Sequence, residues 1–579
     1  MSGCQDKETT PPSMEQAAYK GVIDNSDLSF SRGARGGSFI RADIQELDTL
    51  NIVTTRSPSV YATLNLVFEG LLNLNPLTGA VREGIAASYY TTNDGYSLVF
   101  HLDKNARFSD GVPCTARDVL FSFEEIYMNP DVNSRKTEVL KIRDQMISVH
   151  RIDDYTVRID LPVPYRPFLY TFTRLEILPS HILAPLIEKQ GIEAFNNRWG
   201  SLNSDLGWIV GTGPFRIKEL KKGEYLKLAR NPYYGPRKAP GYLEGMPYLD
   251  EIIELLNVDS ESKNLKFQIG EMDFYRVKDF DIHSGDFETL LENRKEGRYR
   301  IYYGGQTLNS SHFLCFNLNP KGVDKKKLEI FNNIIFRKAV ASLIDHQALI
   351  QETYQGYASS APSSERNVSP FYNQNLEPYS HNPEKAQNLF AQIPLKDVDE
   401  DGYRDLPSGE PFSFTITTNE KNPFRVKMGK MIKESLKQAG INARLQLVDY
   451  DVLLTRLLDT FEWEAVIVGI EGSIEPNQSS WVWESDGPLH LWHPYQERPC
   501  TEWEKKIDRL FAMGRTTWEF EKAKKFYFQY QEIIRENLPV INLAVPAELY
   551  GFRNGYGNII PRSVTYNSIG IMPYVYQTD

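Results

Sequence analysis

Apolar and polar positions alternate in short runs along this chain, and the runs predict strands. Leu98, Phe100 and Leu102 recur with Tyr96 at every second position. Asp94-Gly95 precedes them and supplies the turn of a hairpin over Ala87–Leu102, because Gly tolerates positive φ. Tyr155, Val157, Ile159 and Leu161 alternate with Thr156, Arg158 and Asp160, a strand stopped by Pro162 and Pro164. Between these runs the period changes. Thr115 is placed to cap a helix whose apolar stripe is Val119, Phe123, Ile126 and Tyr127.

After Pro411 the two periods interleave. Phe412, Phe414 and Ile416 predict a strand, and Asn422-Pro423 then opens a helix. Its face is Met428, Met431, Ile432, Leu436 and Ala439, and Gly440 ends it. Ile441–Val448 gives the next strand, and helix Val452–Leu458 and strand Ala465–Ile470 continue the series. This is β-α-β order, so the fold class is α/β with parallel pairing.

Length and charge narrow the picture. The chain has 579 residues, more than one hydrophobic core of about 250–300 residues can serve. Aromatic residues make up 12%, enough to fill cores and still line a binding surface. The net charge is −11 without a long basic run, which sets nucleic acid aside as a partner. No apolar run approaches the ~18 residues of a membrane span. Residues 4–37 read as a polar tether, with a short helix at Met14–Lys20. Ser2-Gly3-Cys4 at its head resembles the end of a truncated lipoprotein signal, so Cys4 is the expected lipidation site. Cys114, Cys315 and Cys500 then remain, room for at most one disulfide.

Candidate chemistry is sparse. His490-x-x-His493, followed by Cys500, has metal-pair spacing, but Pro494 and Pro499 break the segment and no Glu completes an H-E-x-x-H arrangement. Asp397, Asp399, Asp401, Gly402 and Asp405 follow the spacing of a calcium loop, yet Ser408 stands where the bidentate acid belongs. Two readings stay open there: a structural Ca²⁺ or a polar turn before the Phe412 strand. Gly211-x-Gly213-Pro214 lacks the rest of a dinucleotide fingerprint, and neither a nucleophile elbow nor a P-loop is present.

Four ordered stretches carry a resemblance. They are Val67-Phe68-Glu69-Gly70-Leu71-Leu72 with Asn75-Pro76; Phe108-Ser109-Asp110-Gly111 with Thr115-Ala116; Gly211-Thr212-Gly213-Pro214-Phe215 with Arg230-Asn231-Pro232-Tyr233-Tyr234; and Phe336-Arg337-Lys338-Ala339 with Ile344-Asp345 and Gly356-Tyr357. Together they resemble extracellular solute-binding proteins of family 5, the peptide- and nickel-type receptors of ABC importers.

The resemblance implies a type II periplasmic-binding-protein-like fold of two lobes around a cleft, with a hinge and an extra domain inserted in the first lobe. The expected parts are a tether at 1–37, a first lobe from 38–72, 206–300 and 536–579, an inserted domain at 73–205 and a second lobe at 301–535. It also implies a lipid-anchored, periplasmic or cell-surface monomer without catalytic residues, which delivers a solute, foremost a peptide, to an ABC permease and ATPase. A secreted hydrolase and a sensor module on the same fold are the alternatives.

In peptide-binding relatives an Asp four residues before a loop Pro holds the ligand amine. Here that Pro is Pro476 and the position is Gly472, which has no carboxylate. A buried ammonium needs a paired anion, so Glu471 and Glu475 become the expected contacts. Trp481, Trp483 and Trp492 offer flat apolar contact area nearby. Tyr450 and Arg456 match positions that often face ligand, and Arg suits a carboxylate. Arg337 and Asp345 are expected to fix packing.

Overall fold

The computed structural model describes residues 30–92, 94–134, 136–234, 243–277, 285–306, 311–363, 365–560 and 570–578. Cys4 and the helix expected at Met14–Lys20 lie outside the described residues. These residues fall into two units. One holds 30–303, 515–520 and 549–578; the other holds 304–514 and 521–548. The chain therefore passes between them after Tyr303, Gly514, Phe520 and Glu548.

In the first unit the period-2 runs form a four-stranded antiparallel sheet. Its order is Ala86–Thr91, Ser97–Leu102, Thr156–Asp160, Ser148–Asp153. Leu98, Phe100, Leu102, Val157, Ile159 and Leu161 are buried, as their alternation requires. Tyr96 departs from the pattern: it sits in the turn before the strand and is exposed. The helix after Thr115 also differs. Asp118 accepts from the Thr115 backbone N–H at 2.9 Å and from its hydroxyl at 3.1 Å, and regular helix covers only Ala116–Leu120. Phe121–Tyr127 then widens to i→i+5 bonding, closed by Met128 N–H to Phe123 O. The expected stripe of Val119, Phe123, Ile126 and Tyr127 stays buried through the change.

A second four-stranded sheet in this unit runs Ser38–Arg41, Glu251–Leu255, Tyr225–Arg230, Phe215–Lys221. Its first pair is parallel and places Arg41 opposite Glu254. Both side chains are buried, and Arg41 Nε donates to Glu254 Oε2 at 2.6 Å. Arg41 also pairs with Asp43 at 2.6 Å. The other Glu254 oxygen accepts from the backbone N–H groups of Asp43 and Ile44.

Gly211 and Gly213 are packing residues, not phosphate ligands. Gly213 N–H donates to Val67 O at 2.8 Å, and Phe215 N–H to Leu66 O at 2.9 Å. A Cβ at position 211 would lie 2.0 Å from Val67 O, which is backbone and has little room to retreat. Gly211→Ala is therefore expected to cost about 1–3 kcal/mol by overpacking, read as a lower denaturation midpoint. An unchanged midpoint would contradict the close approach.

The second unit holds the interleaved part of the chain. Ser413–Asn419 and Asn442–Val448 pair in parallel across helix Pro423–Gln438, which Asn422 caps by accepting from Arg425 N–H. Ala465–Ile470 lies parallel to Ser413–Asn419 and antiparallel to Ser311–Phe316, which in turn pairs with residues 540–544. Phe316, Phe331, Phe336, Phe412 and Phe414 form an aromatic core, with Phe316 5.1 Å from Phe331 and 5.3 Å from Phe336. Arg337 is buried beside it and donates to Asn537 O and Phe331 O. Asp345 caps helix His346–Tyr354 through Ala348 N–H. Both residues hold packing in place. The helix expected at Val452–Leu458 begins earlier, at Tyr450, because Asp449 supplies its cap.

Candidate functional site

The sequence of the Ala465–Ile470 strand ends in Glu471-Gly472-Ser473, and the chain must turn there. Ile470 pairs with Ser311, so both strands end side by side. Next come a short 3₁₀ turn at Pro476–Ser479 and a helical turn at Ser480–Trp483. These ends, the 365–366 segment and the 489–492 loop enclose a recess within the second unit. Its floor and walls include Glu365, Arg366, Glu471, Gly472, Trp483 and Trp492.

The aromatic wall is fixed by one carboxylate. Glu504 Oε1 accepts from His490 Nε2 at 3.1 Å, Trp492 Nε1 at 3.0 Å and Gln496 Nε2 at 2.9 Å, and Oε2 accepts from Thr501 Oγ1 at 2.7 Å. Burial pushes the Glu504 carboxyl up, but the bonds from His490, Gln496 and Thr501 outweigh it and hold it at about 2. Trp492 stands 6.1 Å from both Trp483 and Trp503, with the rings tilted, so the three form one aromatic cluster.

The sequence-predicted contacts divide. Glu471, Trp483 and Trp492 line the recess. Glu475 does not: it is fully buried, and its carboxylate accepts from the Asn477 backbone N–H at 2.8 Å and from Asn477 Nδ2 at 3.2 Å. The expectation of Glu475 as an open anionic contact is corrected to a cap of the Pro476 turn. Trp481 is 52% exposed and stands apart from the lining. Tyr450 is exposed at the start of its helix, and Arg456 Nη1 donates to Gln446 Oε1 at 2.9 Å; neither lines the recess.

Two charged lining residues were not expected from the sequence. Glu365 and Arg366 lie outside any strand or helix, in a stretch without periodicity. Both are buried, with Arg366 1% and Glu365 3% exposed. Arg366 lies against Gly472: a Cβ there would sit 2.9 Å from Arg366 Cγ and 3.2 Å from its Nε. Arg366 Nη2 donates to Ile470 O at 3.3 Å. Glu365 Oε1 accepts from the Tyr530 hydroxyl. Burial raises the Glu365 carboxyl to about 7, against the pull of Tyr530 and Arg366. Burial lowers Arg366 to about 10.

The metal readings meet different geometry. His490 Nδ1 faces Val482 O at 3.2 Å while Nε2 faces Glu504, so both ring nitrogens are occupied. The Asp397, Asp399 and Asp405 carboxylates come within 4.8 Å of one another, and Asp401 stays outside that group. Each of the four accepts a backbone N–H: Gly402 to Asp397, Asp401 to Asp399, Tyr403 to Asp401, Val398 to Asp405. That is turn chemistry. Glu410, the next acid, pairs with Lys326. Among the described residues, Cys114, Cys315 and Cys500 form no disulfide. No helix among the described residues is long and apolar enough to cross a membrane.

Known proteins resemble most of the chain. A probable ABC transporter-binding protein of Deinococcus radiodurans is 27% identical over 534 residues, 88% of this chain and 87% of that protein. The oligopeptide-binding protein AppA of Bacillus subtilis is 24% identical over 550 residues, 91% of each. The solved oligopeptide-binding protein OppA superposes with a TM-score of 0.77 at 21% identity, over 95% of this chain and 92% of that one, which shows a shared type II periplasmic-binding fold. The sequence model of the bacterial extracellular solute-binding proteins, family 5, matches residues 80–488 of the 579, and the chain belongs to that family.

Proposed function

We propose that this chain is the solute-binding receptor of an ABC importer, that its solute is a peptide, and that it delivers the peptide to a membrane permease driven by an ATPase. The observation that carries the reading is the family match over residues 80–488. The Bacillus subtilis relative is an oligopeptide-binding protein, which supports the peptide class. So does the recess, where indole rings stand beside carboxylates at the end of a strand. Indole faces give contact area without demanding one side-chain sequence, which suits a receptor for varied peptides. The receptor works as a monomer outside the cytoplasmic membrane, tethered through lipid on Cys4, and needs no cofactor.

The test is thermal denaturation of the purified chain with pooled peptides, oligosaccharides or metal chelates. A ligand at about a hundredfold its Kd adds about 2.7 kcal/mol of stability, so the midpoint should rise with the peptide pool alone. A rise only with sugars or chelates would replace the solute class. For the tether, Cys4→Ala should move the protein from the membrane fraction to the soluble one; an unmoved protein would refute the anchor.

A further inference from the structure

The recess contains one carboxylate oxygen that the fold leaves unmatched. Glu365 is 97% buried in side-chain surroundings that include Tyr530, Arg366 and Glu475. Its Oε1 accepts from Tyr530, yet its Oε2 is shielded from solvent and has no hydrogen-bond partner. A buried acceptor in that condition costs about 1–3 kcal/mol, and more when charged. Such a group calls for a partner, and a ligand, an ion or a water can supply it.

The surroundings select the ligand's charge. Of the charged side chains on the recess wall among the described residues, Glu365 and Glu471 are acidic and Arg366 is basic. Arg366 is directed across Gly472 toward Ile470 O, so it fills the space a side chain at 472 would need. A carboxylate cannot be added at 472 without displacing a buried guanidinium. The carboxylate on this side of the recess comes instead from Glu365, in a distant segment of the chain. The indoles of Trp483 and Trp492 border the same space.

We infer that Glu365 is the residue that receives a cationic group of the solute, an ammonium such as a peptide's free N-terminus, through its unmatched Oε2. This rests on the peptide-receptor reading and names the chemistry of one end of the ligand. Glu365 carries the ionic contact; Arg366 positions the loop by occupying the Gly472 face.

The experiment uses the full chain and two probes: a pool of random tri- to pentapeptides with free amines, and the same pool N-acetylated. Affinity is read by isothermal titration, with circular dichroism as the folding check. The native chain should bind the free-amine pool at least about tenfold more tightly than the acetylated pool, a factor equal to about 1.4 kcal/mol. Glu365→Gln keeps an oxygen for Tyr530 and should remove that preference while still binding the acetylated pool. If Glu365→Gln does not fold, Glu365→Asp, which draws the charge back by one methylene, should lose affinity for the free-amine pool only. A preference retained in the folded Gln variant, or an unchanged free-amine affinity in the Asp variant, would overturn the assignment. Equal native binding of both pools would also overturn it while leaving the peptide reading intact. Binding of neither pool would overturn the peptide reading and the assignment with it.

Discussion

Glu254→Ala should lower the stability of the unit that contains it by about 3–5 kcal/mol, the cost of breaking a buried ion pair from one side. The loss has identifiable parts. Arg41 would keep its charge in a site with almost no solvent, facing Asp43 alone. The backbone N–H groups of Asp43 and Ile44 would lose their acceptor where the chain leaves the Ser38–Arg41 strand. Burial already raises the Glu254 carboxyl, and Arg41 is the main force pulling it back. The check is calorimetry of both proteins, comparing the lowest-melting transition. A pair of substitutions, Arg41→Met with Glu254→Leu, should recover part of the loss by removing the stranded charge, though not the two backbone bonds. An unaltered midpoint in the Ala variant would show that the pair contributes nothing net.

Glu504→Ala should be of similar size, about 3–5 kcal/mol, and should also reach the recess. It leaves His490, Trp492 and Gln496 with donors aimed at a missing acceptor. Trp492 and Leu491 line the recess, so loosening this network should weaken solute binding as well as lower the melting midpoint. Glu504→Gln keeps one acceptor oxygen and should lose less.

The same residue sets a pH dependence. Its folded value of about 2 lies below the ordinary 4.5. The stabilisation, on the order of 3 kcal/mol, is thus fully present above about pH 4.5 and lost as the pH falls through about 2. Denaturation midpoints measured from pH 6 to pH 2 should fall more steeply in the native chain than in Glu504→Gln. Parallel curves would contradict the network.

The sheets were legible because burial on one face writes a period of two into the residues, as at Leu98, Phe100 and Leu102, or Val157 and Ile159. The β-α-β stretch was legible for a related reason: Asn422-Pro423 and Gly440 mark both ends of one helix. Tyr96 shows the limit, since an aromatic ring in register can still belong to a turn. The site was legible only in part. Trp483 and Trp492 stood out as a local cluster, and Gly472 as an absent carboxylate. What fills the space at Gly472 was not readable, because Arg366 lies over 100 residues away in the chain and belongs to no periodic element. Glu475 misled because an acid beside a loop Pro reads equally as ligand contact or cap, and only its burial against Asn477 decides.

The most direct measurement is to incubate the purified full-length chain with the free-amine peptide pool, isolate the complex, and weigh it by native mass spectrometry. One peptide per chain is expected, recovered at its original mass after denaturation, with the remaining pool unchanged over hours. Peptide fragments or other products accumulating in the pool, with no intact peptide bound, would contradict it.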